Sequence, residues 1–169
     1  MNVSDERRPL AEVPTPFVVV HEPAVRRNVL RVATYAKAHG LSVRSHAKTH
    51  KSLFVGRLQL EAGAVGLTVA KVGEAEVFST VCDDLLLAYP VVDAAKARRL
   101  AAVGEARTVR AAVDSDLAVR VLAGAARERG VELGLLVDLD VGNGRTGCPS
   151  AAEALRLARL AAETPGVRF

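Results

Sequence analysis

Short runs of leucine and β-branched residues alternate with longer, alanine-rich amphipathic runs, and this alternation restricts the chain to βα units arranged around a parallel sheet. The strand-like runs are Phe17 to Val20, Leu41 to Ala47, Gly66 to Val69, Asp84 to Ala88, Val109 to Val113 and Leu133 to Leu139. Helix-like runs cover Pro23 to Ala38, Ser52 to Ala62, Gly73 to Val81, Ala94 to Val103, Asp116 to Arg129 and Ser150 to Glu163. Pro23 suits a first helical turn, Gly40 and Gly130 follow helices where a left-handed residue is wanted, and Asp116 and Ser150 can cap helix starts.

With 169 residues the chain can bury one sizeable core, and no linker or low-complexity stretch divides it. Gly166-Val167-Arg168-Phe169 opens a further strand. A complete (β/α)8 barrel needs eight strands and about 250 residues, whereas this pattern supplies roughly five barrel strands and the start of a sixth. Either the sheet is open and finished, or the chain is part of a larger barrel.

The formal net charge of +4 is spread through mixed-sign groups such as Arg127-Glu128-Arg129, with no basic tract or interleaved aromatics, so a nucleic-acid partner is not expected. Cys82 and Cys148 are far apart and match no metal-ligand spacing, which suits a reducing compartment. No apolar run is long enough to span a membrane, and the first residues lack the apolar stretch of a signal peptide. A cytoplasmic protein with no membrane partner is expected.

The chemistry concentrates in Arg44-Ser45-His46-Ala47-Lys48-Thr49-His50-Lys51. On a strand, alternate side chains share a face, so Arg44, His46, Lys48 and His50 would form one row of cations and nitrogen bases. A lysine at the C-terminal end of a parallel strand sits where barrel and open-sheet sites are built. Its amine can form a Schiff base with a carbonyl cofactor or substrate. The alternative is a solvated edge strand decorated with bases. A metal pair of His46 and His50 is weaker, because their spacing suits ligands on a helix and the glutamate of a zinc-protease helix is missing.

A second constellation, Asp138-Leu139-Asp140-Val141-Gly142-Asn143-Gly144-Arg145-Thr146-Gly147, leaves an apolar strand and enters a helix. Its glycines permit tight turns and close backbone approach to a ligand, and Arg145 offers a fixed fork of donors to an oxygen anion. It matches neither the Rossmann nor the Walker fingerprint. In Thr68-Val69-Ala70-Lys71-Val72-Gly73-Glu74-Ala75-Glu76, the acids fall in a first helical turn, where complementing the helix dipole is the simpler role. Tyr89, after the run Asp84 to Ala88, either lines a site or covers the barrel rim, the rim being favoured.

Together these landmarks carry a resemblance. Thr15-Pro16 before an apolar strand, Arg44-x-His46-x-Lys48-Thr49-His50-Lys51, Gly73-Glu74-Ala75-Glu76, Leu86-Leu87-Ala88-Tyr89-Pro90 and Asp140-Val141-Gly142-x-Gly144-Arg145-x-Gly147 occur in order. From about Thr15 to Phe169 the chain resembles the N-terminal, barrel-forming part of the fold-type III pyridoxal-phosphate enzymes. The branch is that of D-threonine aldolase and D-serine dehydratase-like proteins, with alanine racemase a more distant relative. One departure is Ser45, where the family usually has proline; it alters backbone stiffness more than chemistry.

The resemblance implies an α/β fold, a partial (β/α)8 TIM barrel of the alanine racemase type ending after about five to six barrel strands. Residues 1–22 would be an N-terminal segment whose strand joins a C-terminal β domain, and residues 23–169 the first part of a barrel binding pyridoxal 5′-phosphate. Lys48 would carry the cofactor, Arg145 would reach its phenolic oxygen side, and His46 would lie beside it; His46 and His50 would tune Lys48 or relay protons, or else be hydrogen-bonded inside the barrel in a structural role. The implied activity of the intact protein is a lyase acting on D-3-hydroxyamino acids, with the isolated chain inactive. A racemase and a non-catalytic cofactor carrier are the alternatives. No metal ligand is assigned in this chain; a divalent metal of the complete protein would be held by residues near its C-terminus. The expected partners are a small D-amino acid and, in the complete protein, a second copy in a homodimer.

Overall fold

Strands alternate with helices along the whole computed structural model, which describes residues 9–169. Helix α1 (Glu22–Ala38) leads to β1 (Arg44–His46), followed by α2 (Leu53–Glu61), β2 (Gly66–Val69), α3 (Val72–Phe78), β3 (Asp84–Leu87) and α4 (Ala94–Gly104). Then come β4 (Thr108–Val113), α5 (Asp116–Arg129), β5 (Leu133–Val137), α6 (Ala151–Glu163) and β6 (Val167–Arg168). The strands form one sheet in the order β1 to β6, and every neighbouring pair is parallel. Sequential order with helical crossovers is the arrangement of a (β/α)8 barrel, here as a partial barrel.

Alternation along the strands separates two faces. Leu67, Val69, Leu85, Leu87, Val109, Ala111, Val113, Leu133 and Leu135 are buried in one core with Phe78, Leu100, Leu122 and Leu157 from the helices. Each such leucine contributes roughly 1.5–3 kcal/mol on leaving water. The other face carries Arg44 and His46, then Gly66 and Thr68, Asp84 and Leu86, Arg110 and Ala112, Gly134 and Leu136, and it is the face a closed barrel turns inward.

Helix boundaries follow local chemistry. Pro23 lies in the first turn of α1, and Gly40 and Gly130 both adopt φ 65°, the left-handed conformation that ends a helix without a Cβ clash. Ser150 caps α6 by accepting the Glu153 N–H. The cap of α5 is Ser115, which accepts the Ala118 N–H, and not Asp116 as expected. Asp116 lies one residue inside the helix and pairs with Arg156 of α6. Serine and aspartate are both good caps, so their order in Ser115-Asp116 does not show from sequence which of them sits outside.

One expected strand has no ladder partner among the described residues, and another is shorter than expected. Phe17 to Val20 forms no ladder among the described residues; Val18 is 90% and Val19 64% exposed. An extended run becomes a strand only where a neighbour takes its N–H and C=O groups. The strand expected from Leu41 to Ala47 is only Arg44–His46, and the chain turns immediately afterwards.

Candidate active site

Lys48 lies not on β1 but on a single 3-10 turn, Ala47–Thr49, that follows it. Ala47 is fully buried and anchors this turn, while Lys48 is exposed. The turn is bonded at both ends. His46 Nδ1 accepts the Lys48 N–H at 3.3 Å, and the Ala47 carbonyl accepts the N–H groups of His50 at 3.3 Å and Lys51 at 2.8 Å. The single row of four basic side chains is therefore broken after His46. The residue pattern has period two, but a side chain that captures the N–H two residues on favours a turn over a ladder.

Past the turn, Lys51 takes φ 48°, a left-handed conformation that a lysine adopts only when its surroundings hold it there. Glu74 supplies that hold: Oε1 lies 3.4 Å from the Lys51 ammonium, and Oε2 accepts the Ala70 N–H at 2.8 Å. Burial raises the Glu74 pKa, but the Ala70 N–H and Lys51 outweigh it and keep the carboxyl below its ordinary value. Glu74 thus ties the start of α3 to the loop behind Lys48, more than the helix-dipole role expected of it. Glu76 is structural, in a two-pronged pair with Arg99 at 2.6 and 2.7 Å.

His50 turns away from the inner face. Its ring meets Phe78 edge-on with centroids 6.2 Å apart, and its Nδ1 accepts the Ser52 N–H at 3.1 Å. A neutral ring bonded in this way carries its proton on Nε2. That atom and Gln59 Oε1 are both buried without a hydrogen bond of full geometry, a complementary donor and acceptor. Burial lowers the His50 pKa against the opposing pull of Gln59 and Ser52. His50 is a structural histidine at the start of α2, not a relay to Lys48. His46 stays on the inner face; burial first and the Lys48 charge second lower its pKa, so it is neutral at physiological pH.

Arg145 stands at the same end of the sheet, on the loop after β5. Asp140 shapes this loop: its carboxylate accepts the N–H groups of Gly142 at 2.9 Å, Asn143 at 2.8 Å and Gly144 at 2.9 and 3.1 Å. These bonds, led by that of Gly142, hold the Asp140 carboxyl below its usual range. The glycines therefore serve the protein's own carboxylate, and their N–H groups are not free for a phosphate. Thr146 donates its hydroxyl to Asp138 at 2.9 Å, and the Gly147 N–H reaches Asp114 at 3.2 Å. Three acids thus fix the residues around Arg145 while its guanidinium is exposed. Among the described residues, neither it nor the Lys48 ammonium has an ion-pair partner.

Tyr89 is 55% exposed and lines an open cavity of about 1070 Å³ with Lys51 and Glu74, consistent with a place on the rim. Sequence reasoning missed Asp84, Arg110 and Asp114. The signal for Arg110 was present: an arginine between Val109 and Ala111 in an apolar strand asks for a partner.

The family model for the alanine racemase N-terminal domain matches residues 20–169. The chain is 38% identical to the 3-hydroxy-D-aspartate aldolase of Paracoccus denitrificans over 162 residues, covering 94% of this chain and 42% of that protein. It is 33% identical to a D-threonine aldolase of Arthrobacter sp., over 95% of this chain and 43% of the relative. Among solved structures, the D-threonine aldolase from Filomicrobium marinum superposes with a TM-score of 0.90 at 32% identity, over 95% of this chain and 44% of that one. The chain spans less than half the length of these relatives, and alanine racemase structures are more distant. The resemblance drawn from the five landmarks is borne out, and the chain belongs to the alanine racemase N-terminal domain family.

Proposed function

We propose that the intact protein is a pyridoxal-phosphate-dependent lyase acting on a D-3-hydroxyamino acid, with Lys48 as the residue that holds the cofactor. The observation that carries this reading is an exposed amine on a turn bonded at both ends, at the same end of the sheet as an exposed guanidinium on a fixed loop, with no ion-pair partner among the described residues. An amine is the group that takes a carbonyl cofactor covalently. A planar fork of donors suits an anionic oxygen.

The residues present fit the carbonyl and phenolic-oxygen side of the cofactor. Lys48 Nζ would bond its carbonyl carbon, Arg145 would orient its phenolic oxygen, and His46 would face it from the inner side of β1 while holding the Lys48 turn. When bound, the cofactor supplies an electron sink for charge developing on the substrate. The phosphate would be held elsewhere, because Asp140 already occupies the N–H groups of the glycine-rich loop. A divalent metal held by ligands outside this chain is also part of the proposal; among the described residues no group of three His, Cys, Asp or Glu side chains could hold a metal ion. No helix of the described residues is long and apolar enough to cross a membrane. A cytoplasmic protein is part of the proposal, supported by the buried free thiols of Cys82 and Cys148. So is a homodimer, for which exposed Leu30, Val32 and Tyr35 on α1 leave apolar surface.

Turnover by the cofactor-loaded intact protein on D-threonine, D-serine, 3-hydroxy-D-aspartate and alanine, with added divalent metal, tests the reading. Cleavage or dehydration of a D-3-hydroxyamino acid is expected. Racemisation of alanine alone, or cofactor bound with no turnover, contradicts it in favour of a racemase or a carrier.

A further inference from the structure

Below the Lys48 turn, the inner face of the sheet holds a charge cluster with no place in the chemistry above. Arg44 of β1 reaches across β2 to β3, where its Nη1 donates to the Asp84 carbonyl at 3.0 Å and lies 2.9 Å from Asp84 Oδ1. Arg110 of β4 pairs with the same carboxylate oxygen from the other side. All three side chains are well shielded, with 21%, 27% and 31% of their surfaces exposed for Arg44, Asp84 and Arg110. Burial opposes ionisation of Asp84, yet the two arginines hold its pKa below the ordinary value.

The crossing depends on glycine. Gly66 stands opposite Arg44 in the ladder, and a Cβ there would collide with the Arg44 guanidinium and the Asp84 carbonyl. Gly134 stands opposite Arg110, and a Cβ there would come within 2.8 Å of Arg110 Cγ. Glycine weakens a strand interior unless another group must pass close by. Here an arginine side chain passes over each.

An ion cluster of this kind is an inefficient source of stability, since apolar residues of similar volume often do as well or better. What it supplies is direction. Strand β1 is only Arg44–His46, with β2 its ladder partner. Three ladder residues fix the tilt of β1 weakly, and a link from Arg44 to β3 fixes it further. His46 follows Arg44 by two residues on the same face, and its Nδ1 holds the Lys48 N–H.

We infer that Asp84 is a positioning residue for Lys48, acting through Arg44, which locks the short strand that aims the lysine, with Gly66 kept open for the crossing. The inference rests on the assignment of Lys48 as the cofactor-binding residue.

Borohydride reduction of the intact protein equilibrated with pyridoxal 5′-phosphate fixes label on reacting lysines, and peptide mapping compares Lys48 with four other lysines of this chain, Lys37, Lys51, Lys71 and Lys96. In the unaltered protein Lys48 takes most of the label. Asp84→Asn and Gly66→Ala, the second of which removes no charge and acts only by blocking the crossing, each lower the ratio of label at Lys48 to that at the other four by about tenfold, within what a misplacement of ~1 Å costs. Leu157→Val, in the core of α6, lowers the melting temperature without changing the ratio. An unchanged ratio in the Asp84→Asn and Gly66→Ala variants overturns the inference while leaving Lys48 assigned, and so does an equal fall in Leu157→Val. Label absent from Lys48 in the unaltered protein defeats the functional assignment itself, and the inference with it.

Discussion

His46 Nδ1 accepts the backbone N–H of Lys48 at 3.3 Å, so the imidazole nearest the proposed cofactor lysine is committed to holding that lysine's turn. A neutral imidazole bonded in this way carries its proton on Nε2, and burial together with the Lys48 charge favours that neutral form. On protonation Nδ1 becomes a donor and the bond is lost. Geometry of the turn and protonation of His46 are therefore linked.

Replacing His46 by alanine removes a side chain that caps the turn, and the expected cost is about 1 kcal/mol in urea unfolding, as for other lost caps. His46→Asn, which can accept the same N–H, should recover most of it. Equal losses in both variants would show that the cap contributes nothing.

Stability should fall in two stages as the solution is acidified. His46 and His50 have lowered pKa values in the folded protein, so below about pH 6.5 the unfolded chain takes up protons first and the folded state loses ground. Glu74 and Asp84 also have lowered values. Their stabilisation is complete above the unfolded carboxylate range near pH 4 and is lost as pH falls through the folded values. Melting temperatures between pH 8 and pH 3 check this; a flat profile from pH 7 to pH 5 contradicts the histidine stage.

Glu74 bridges the Ala70 N–H and the Lys51 ammonium with a side chain only 12% exposed. Glu74→Ala leaves the Ala70 N–H without its carboxylate acceptor and should cost about 2 kcal/mol, typical of a hydrogen bond to a charged group. Glu74→Gln can still accept the Ala70 N–H and should cost less. Thermal denaturation that ranks glutamine as the worse of the two contradicts the bridge.

Asp140 closes the loop that presents Arg145 through its bonds to Gly142, Asn143 and Gly144. In Asp140→Ala those N–H groups are released to water and the loop opens more often. Limited trypsin digestion should then cut after Arg145 several-fold faster than in the unaltered protein, with the core helices still protected. Unchanged cleavage would mean that Thr146 and Gly147 suffice to hold the loop.

The alternation of strands and helices was legible because each element must bury an apolar face, and the leucines at 85, 87, 100, 122, 133 and 157 that do so stand out in the pattern. Lys48 stood out in the sequence as a candidate amine, but its geometry did not. Arg44-x-His46-x-Lys48-x-His50 has the period of a strand, and only the His46 side-chain bond shows where the strand stops. The triad of Arg44, Asp84 and Arg110 depends on strand register, which puts residues forty apart side by side and leaves little local trace. Gly66 and Gly134, glycines inside otherwise apolar strands, were the marks it left.

The most direct measurement is the identity of the lysine that borohydride fixes to pyridoxal 5′-phosphate in the intact protein. Lys48 should carry the label, and Lys48→Ala should abolish it together with the visible absorption of the bound cofactor. A label mapping to Lys51 or Lys71, or an absorption band that survives Lys48→Ala, would contradict the assignment.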